Sequence, residues 1–346
     1  MLDSYGWSEK LQQDFTPRAA QGLVPARVIA QHRSGFRLIA ETGELRGHDA
    51  TAGGWPVTGD WVAIEPQPNL ALIRQVLTRR SAFVRRAAGT ARDGQVVAAN
   101  IDVALLVASM NADFNPRRLE RYLAAAYESG ADPVIVLTKA DLADNPDAFV
   151  TEAEAISFGV PVLALSSVTG LGYDALAQRI ERGRTTVLLG SSGAGKSTLL
   201  NTLAGETLMA TAAIREDDAR GRHTTTHREL ILLPSGGLIL DTPGMRELGL
   251  WDAEAGLSAT FADVEALAEG CRFNNCQHGN EPGCALQAAL ADGGLTAERW
   301  QSYQKLQAEL AFERRKSDPG EAAAHRRRWV TIHKAAKQRM KSKYGD

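Results

Sequence analysis

Cysteine is scarce: the 346 residues hold three, all between Cys271 and Cys284. An odd number confined to one short segment excludes a disulfide framework as the source of stability and suits a reducing compartment. Long apolar runs are missing too, and none reaches the roughly 18 residues that cross a bilayer. The first residues, MLDSYGWSEKLQQDFTPR, lack the basic start and apolar core of a secretion signal. A soluble, cytoplasmic protein with no membrane partner is therefore expected. Net charge is only −2, which excludes a polycation, so any affinity for nucleic acid must come from local asymmetry. What the chain does have is 44% hydrophobic residues and a length sufficient for several buried cores.

From Leu23 to about Val84 the apolar runs are short and broken by Gly, Pro and Asp: VPARVIA, GFRLIAE, GELRGHD, GDWVAIE and ALIRQVL. Five such runs predict a small β-barrel. An OB-fold is the expectation, although periodicity alone does not separate it from an SH3-like barrel. After Arg79, Arg80, Arg85, Arg86 and Arg92 the pattern changes. IDVALLVASM, DPVIVLTKAD, VPVLALSS and TTVLLGSSG are continuous apolar strands that alternate with helical segments, as in a mostly parallel sheet covered on both faces. RELILLPSGGLILDTPG reads as a hairpin turning at Pro234 to Gly237. Beyond Trp251 the chain is helical and carries the cysteines. The expected organisation is an N-terminal extension (1–22), an OB barrel (23–85), an α/β P-loop domain (86–250) and a helical metal-binding domain with a basic tail (251–346).

Gly190, Ser191, Ser192, Gly193, Ala194, Gly195, Lys196 and Ser197 spell GxxxxGKS between strand TTVLLG and helix STLLNTLAG. The glycines let backbone N–H groups surround phosphate oxygens, and the helix N-terminus adds partial positive charge. Lys196 is expected to reach the β- and γ-phosphates, Ser197 to hold Mg²⁺, and Thr198 to approach the phosphates. DTPG follows strand GGLIL: Asp241 is placed to hold Mg²⁺ through water, and the Gly244 amide to meet a γ-phosphate. Between these motifs lies GRHTTTHREL. One hydroxyl of a loop closing over the γ-phosphate coordinates Mg²⁺, and Thr225 is the candidate, with Thr224 the alternative.

Thr138, Lys139, Ala140 and Asp141 form TKAD at the end of strand VIVL. The Asp141 carboxylate can accept from guanine N1 and N2, and the Lys139 stem can pack on the ring. Adenine lacks those donors, so GTP is predicted over ATP. Asn usually stands where Thr138 is, contacting the base and bracing the P-loop, so weaker affinity with unchanged specificity is expected. Ser166 and Ser167 suit a loop whose backbone receives the guanine oxygen. In a conventional GTPase the P-loop, switch threonine and DxxG precede the base-reading motif and the serine loop. Here TKAD and the serines come first, which is the order of a circular permutation. No Gln follows DTPG, since Met245 succeeds Gly244, so intrinsic turnover should be slow. His223 is the nearest candidate to position the attacking water, the alternative being an ordinary exposed loop histidine.

Cys271, Cys276, His278 and Cys284 are spaced C-x4-C-x-H-x5-C. Three thiolates and an imidazole make a closed tetrahedral set that favours a structural Zn²⁺ over free buried thiols. From Ala311 to Asp346 there are eleven Lys or Arg against four acids, with Trp329 among them. A helix with one cationic face, suited to RNA phosphates, is expected there.

Together GSSGAGKS, GRHTTTHREL, DTPG and CRFNNCQHGNEPGC, behind an OB-like barrel, resemble the RsgA (YjeQ) family of small ribosomal subunit-dependent GTPases over nearly the whole chain. The resemblance implies a monomeric enzyme that hydrolyses GTP to GDP on the small subunit, is stimulated by it, and contacts its rRNA and other assembly factors. It also implies a catalytic role for the histidine matching His223. The alternatives are a zinc-containing RNA-binding protein that uses GTP only as a conformational ligand, and a small-metabolite kinase, which would need neither TKAD nor a zinc-bearing tail.

Overall fold

Strands β1 (Val24–His32), β2 (Gly35–Ala40), β3 (Gly43–Asp49), β4 (Trp61–Pro66) and β5 (Ala71–Val76) close into a barrel in the order β1-β2-β3-β5-β4-β1. The computed structural model describes residues 1–32, 34–51, 53–68, 70–86, 94–205, 228–241 and 253–317. All barrel neighbours are antiparallel except β3 and β5. That parallel pair gives the Greek-key order of an OB-fold, which periodicity had left open. Alternate residues of a strand face one side, and Val28, Leu38, Val62, Ile64 and Ile73 fill the interior without solvent contact.

A second sheet runs in the order β10 (Val162–Ala164), β9 (Asp132–Thr138), β8 (Val103–Ser109), β11 (Thr185–Gly190), β13 (Leu238–Asp241) and β12 (Arg228–Leu232). The first five strands are parallel, and β12 is the antiparallel arm of the expected hairpin. The continuous apolar runs serve two faces. In β8, Val103, Leu105 and Val107 belong to the core under α4 (Tyr173–Ala177) and α5 (Lys196–Ala204). Ala104 and Leu106 belong to the core under α2 (Pro116–Ser129) and α3 (Pro146–Ser157). Helix α2 begins where Asn115 accepts the Arg118 N–H and Pro116 supplies a preset φ, and it stops at Gly130, left-handed at φ 83°.

The two sheets are one, because β1 serves both. Its residues Val24 to Arg27 pair with β4, while Ala30 and Gln31 pair with Glu229 and Arg228 of β12. Under this junction lies Arg27, 1% exposed. Its guanidinium donates to Thr185 Oγ1 at 2.7 Å, to the carbonyls of Asn100 and Gly59 at 3.3 Å, and to the Tyr5 carbonyl. Burial pulls its pKa down to about 10, which leaves it charged at neutral pH.

Two elements went unread in the sequence. The segment expected as an extension carries helix α1 (Glu9–Ala19), capped by Ser8, whose Leu11 and Phe15 are buried, while Trp7 packs edge-on against Phe15 and Trp61. Strands β6 (Ala82–Arg86) and β7 (Gly94–Ala99) form a separate antiparallel hairpin. Among the described residues, no helix is long and apolar enough to cross a membrane.

Helices α6 (Glu254–Thr260), α7 (Ala262–Glu269), α8 (Ala285–Asp292) and α9 (Ala297–Ser317) pack around Phe261, Val264, Leu286 and Trp300 and dock on α2. Gly256 makes the approach possible, since a Cβ there would lie 2.1 Å from the Ala124 carbonyl oxygen. Arg299 of α9 completes the joint. It pairs with Glu120 of α2 at 2.6 Å and Asp263 at 2.8 Å, donates to the Thr260 carbonyl, and lies 4.2 Å over the Phe261 ring. Ser302 donates to the other Glu120 oxygen. Glu120 is 2% exposed, so removing its partner strands a buried charge. Arg299→Ala is expected to cost about 3–5 kcal/mol, read as a lower denaturation midpoint, and Arg299→Lys should rescue it only in part because an ammonium cannot fork. An unchanged midpoint in Arg299→Ala would contradict this account.

Candidate functional site

The carboxyl ends of β9, β10 and β11 converge at one edge of the sheet, where open α/β sheets bind ligands. Strand β11 ends at Gly190, and the chain turns through Ser191 to Gly195 before α5 starts at Lys196. Three positions need glycine, the first because a Cβ on Gly190 would lie 2.3 Å from the Val107 carbonyl oxygen. Gly193 has φ 80° with nothing within 4 Å of a Cβ, and Gly195 has φ 89° with Thr138 Oγ1 only 3.2 Å from where a Cβ would be. The result is an open cradle at the positive end of α5. The Lys196 ammonium, half-buried, donates to the carbonyls of Gly190 at 2.7 Å and Ser191 at 2.5 Å. Ser197 and Thr198 occupy the first turn of α5, both half-buried, and Ser192 is exposed.

TKAD meets this loop directly. The Thr138 hydroxyl, at the end of β9, donates to the Ala194 carbonyl at 2.7 Å, and Lys139, left-handed at φ 62°, sends its ammonium to the Gly193 carbonyl at 2.8 Å. Asp141 lies exposed in a single 3-10 turn, Ala140–Leu142. The Ala140 N–H donates to the Leu165 carbonyl, which ties this turn to the serine loop. Ser166 is fully buried, and its hydroxyl oxygen accepts the N–H groups of Val168 and Thr169, so the side chain shapes the loop, while Ser167 stays exposed. The P-loop, TKAD and the serines, distant in sequence, thus form one rim.

Asp113 was not singled out from the sequence. Its carboxylate accepts from Ser191 Oγ at 2.6 Å and pairs with Arg118 at 2.9 Å. Arg118, and then Ser191, hold its carboxyl below the usual carboxylate range. The signal available was position, a carboxylate just past the end of a strand adjacent to the P-loop strand. It reads instead as turn chemistry, because Asn111 and Asn115 beside it do make turn and cap bonds. His223, Thr224, Thr225, Gly244 and the tail from Asp318 onward lie outside the described residues. For Asp241 only the backbone is described, paired with Glu229.

In the C-terminal helices, Cys271, Cys276, His278 and Cys284 bring their ligand atoms within 4.8 Å of one another. The Cys271 and Cys284 sulfurs are 3.9 Å apart, and His278 Nδ1 lies 3.5 and 3.7 Å from them. A tetrahedral zinc with bonds of about 2.3 Å to sulfur and about 2.0–2.1 Å to nitrogen needs separations of roughly 3.8 Å and 3.6 Å. Cys271, Cys284 and His278 thus stand at the spacing of tetrahedral zinc ligands, with the Cys276 sulfur within 4.8 Å of each, an arrangement consistent with zinc. His278 is held by its φ of 57°, by Gln287 Nε2 donating to its carbonyl at 2.7 Å, and by the Trp300 ring edge.

Known proteins resemble this chain in sequence and fold. The sequence profile of the RsgA GTPase family matches residues 76–251. Small ribosomal subunit biogenesis GTPase RsgA 1 of Listeria innocua is 43% identical over 350 residues, covering 99% of both chains. The RsgA of Opitutus terrae is 46% identical over 359 residues, covering 98% of this chain and 97% of its own. The crystal structure of YjeQ from Thermotoga maritima superposes with a TM-score of 0.63 at 26% identity, over 83% of this chain and 98% of that one. YloQ, described as a circularly permuted GTPase, gives 0.60 at 26% identity, over 83% and 95%. With the permuted motif order folded onto one rim, a five-stranded barrel ahead of it and a Cys3His cluster behind, the chain is a member of the RsgA GTPase family.

Proposed function

We propose that the chain hydrolyses GTP to GDP and phosphate while bound to the small ribosomal subunit during its late maturation, and that the subunit accelerates the reaction. The observation that carries this reading is the pairing of a phosphate cradle with a base-reading turn through the Thr138 and Lys139 bonds to the P-loop. One part reaches phosphates and the other a guanine, and the two are held at a fixed separation. The small-subunit assignment rests on the names of relatives matched along almost their whole length.

In this reading Lys196 brings its cation to the β- and γ-phosphate oxygens, and the loop amides from Ser191 to Thr198 line the cradle. Asp141 accepts from guanine N1 and N2. The hydroxyls of Ser197 and Thr225 are hard oxygen donors suited to Mg²⁺, with Asp241 acting through water. When bound, the ion neutralises charge developing between the phosphates. His223 orients the attacking water, and the absence of Gln after Gly244 keeps turnover slow without the subunit. Cys271, Cys276, Cys284 and the His278 imidazole hold one zinc that braces the C-terminal helices, and the basic tail meets rRNA phosphates. The chain works as a cytoplasmic monomer, alongside other assembly factors, with domains divided near residues 22, 85 and 250.

The test is GTP turnover measured alone, with purified small subunits and with large subunits. Stimulation confined to small subunits is expected, and equal turnover in all three sinks the reading. Lys196→Ala should lower turnover by roughly a hundredfold or more, and Asp141→Ala should erase the preference for GTP over ATP in competition. Elemental analysis should return one zinc per chain, and Cys276→Ser should release it and lower the midpoint of the C-terminal helices' unfolding.

A further inference from the structure

Thr138 carries a consequence for which part of the base is read. The inference rests on the guanine-site reading above. A threonine hydroxyl has one proton to donate. Here that proton is committed: Thr138 is 7% exposed, and its Oγ1 lies 2.7 Å from the Ala194 carbonyl oxygen, with the Ala108 carbonyl at 3.3 Å. Ala194 itself has no solvent exposure, so turning the hydroxyl away would leave a buried carbonyl without its donor. An Asn at this position has two N–H donors. One could brace the loop while the other reached the Hoogsteen edge of the base, whose N7 is an acceptor. Thr138 can make only one of these bonds. The Lys139 ammonium is directed to the P-loop, where it donates to the Gly193 carbonyl at 2.8 Å.

We propose that this chain recognises guanine through the Watson–Crick edge alone, with Asp141 as the reader, and leaves N7 without a protein donor because Thr138 is wholly employed as a brace between β9 and the P-loop. The substitution of Thr for Asn then weakens binding by one base contact and leaves the phosphate cradle intact. Thr138 is a positioning residue, and its identity decides which analogues the site tolerates.

The probe is 7-deaza-GTP, in which a C–H replaces N7 and every Watson–Crick group is kept. The purified full-length protein is titrated with GTP and with 7-deaza-GTP, each displacing a fluorescent GDP. The two affinities are expected to agree within about twofold in the native protein and in Thr138→Ser, which keeps the single donor. Thr138→Asn should distinguish them, 7-deaza-GTP binding roughly five- to tenfold more weakly than GTP, the worth of about one hydrogen bond. Thr138→Val removes the brace, so both affinities should fall together with their ratio unchanged. A fivefold penalty for 7-deaza-GTP in the native protein overturns the proposal, because N7 would then have a donor. Equal binding of the two by Thr138→Asn overturns the assignment of position 138 to that edge. Failure of GTP to displace the fluorescent GDP from the native protein is a different result, and it would remove the guanine site itself.

Discussion

Much of this architecture hangs on one strand that has to satisfy two sheets. The first half of β1 closes the barrel against β4, and its second half pairs with β12 of the nucleotide sheet. Backbone pairing of this kind cannot slip by one residue without turning every buried side chain outward. The Arg27 guanidinium under the strand adds a second constraint. It donates to the N-terminal turn, the barrel, the connection after β7 and strand β11, so four parts of the chain share one buried cation. Its partners are neutral oxygens, and its charge is retained because the hydrogen bonds replace those of water.

The permuted order gives this joint its meaning. Strand β12 follows the threonine run of GRHTTTHREL in sequence and is bonded to β1 of the barrel, where Glu229 also meets Arg37 at 2.7 Å. On the other side, β13 ends at Asp241, and the chain continues toward helices docked on α2 through Gly256 and the Arg299 network. The segments that flank the nucleotide motifs are thereby anchored to the barrel at one end and to the Cys3His module at the other. In a conventional chain order neither attachment would follow from connectivity.

The motifs themselves were legible because they are local. GSSGAGKS needs left-handed glycines next to a helix start, the cysteine segment needs four ligands within one short stretch, and the apolar runs of β8 to β11 need no knowledge of their neighbours. The N-terminal helix escaped notice because its buried positions, Leu11 and Phe15, are few and sit among polar residues; their burial exists only once Trp7 and Trp61 are beside them. Asp113 was hidden for a related reason: nothing in NADFNP distinguishes a residue that finishes a turn from one that also holds Ser191 across the sheet.

Thr138 shows the division most clearly. Sequence alone determined that TKAD stands ahead of GSSGAGKS, with a hydroxyl at position 138, and that the motif order is permuted, since both are statements about covalent identity. Only the folded chain decided where that hydroxyl's one proton goes, because Ala194 lies more than fifty residues away and reaches Thr138 only through the pairing of β9, β8 and β11. The same holds for the barrel. Five short strands were evident from their spacing, but whether they closed as an OB-fold depended on β3 finding β5 in parallel, a long-range hydrogen-bond choice that periodicity does not encode.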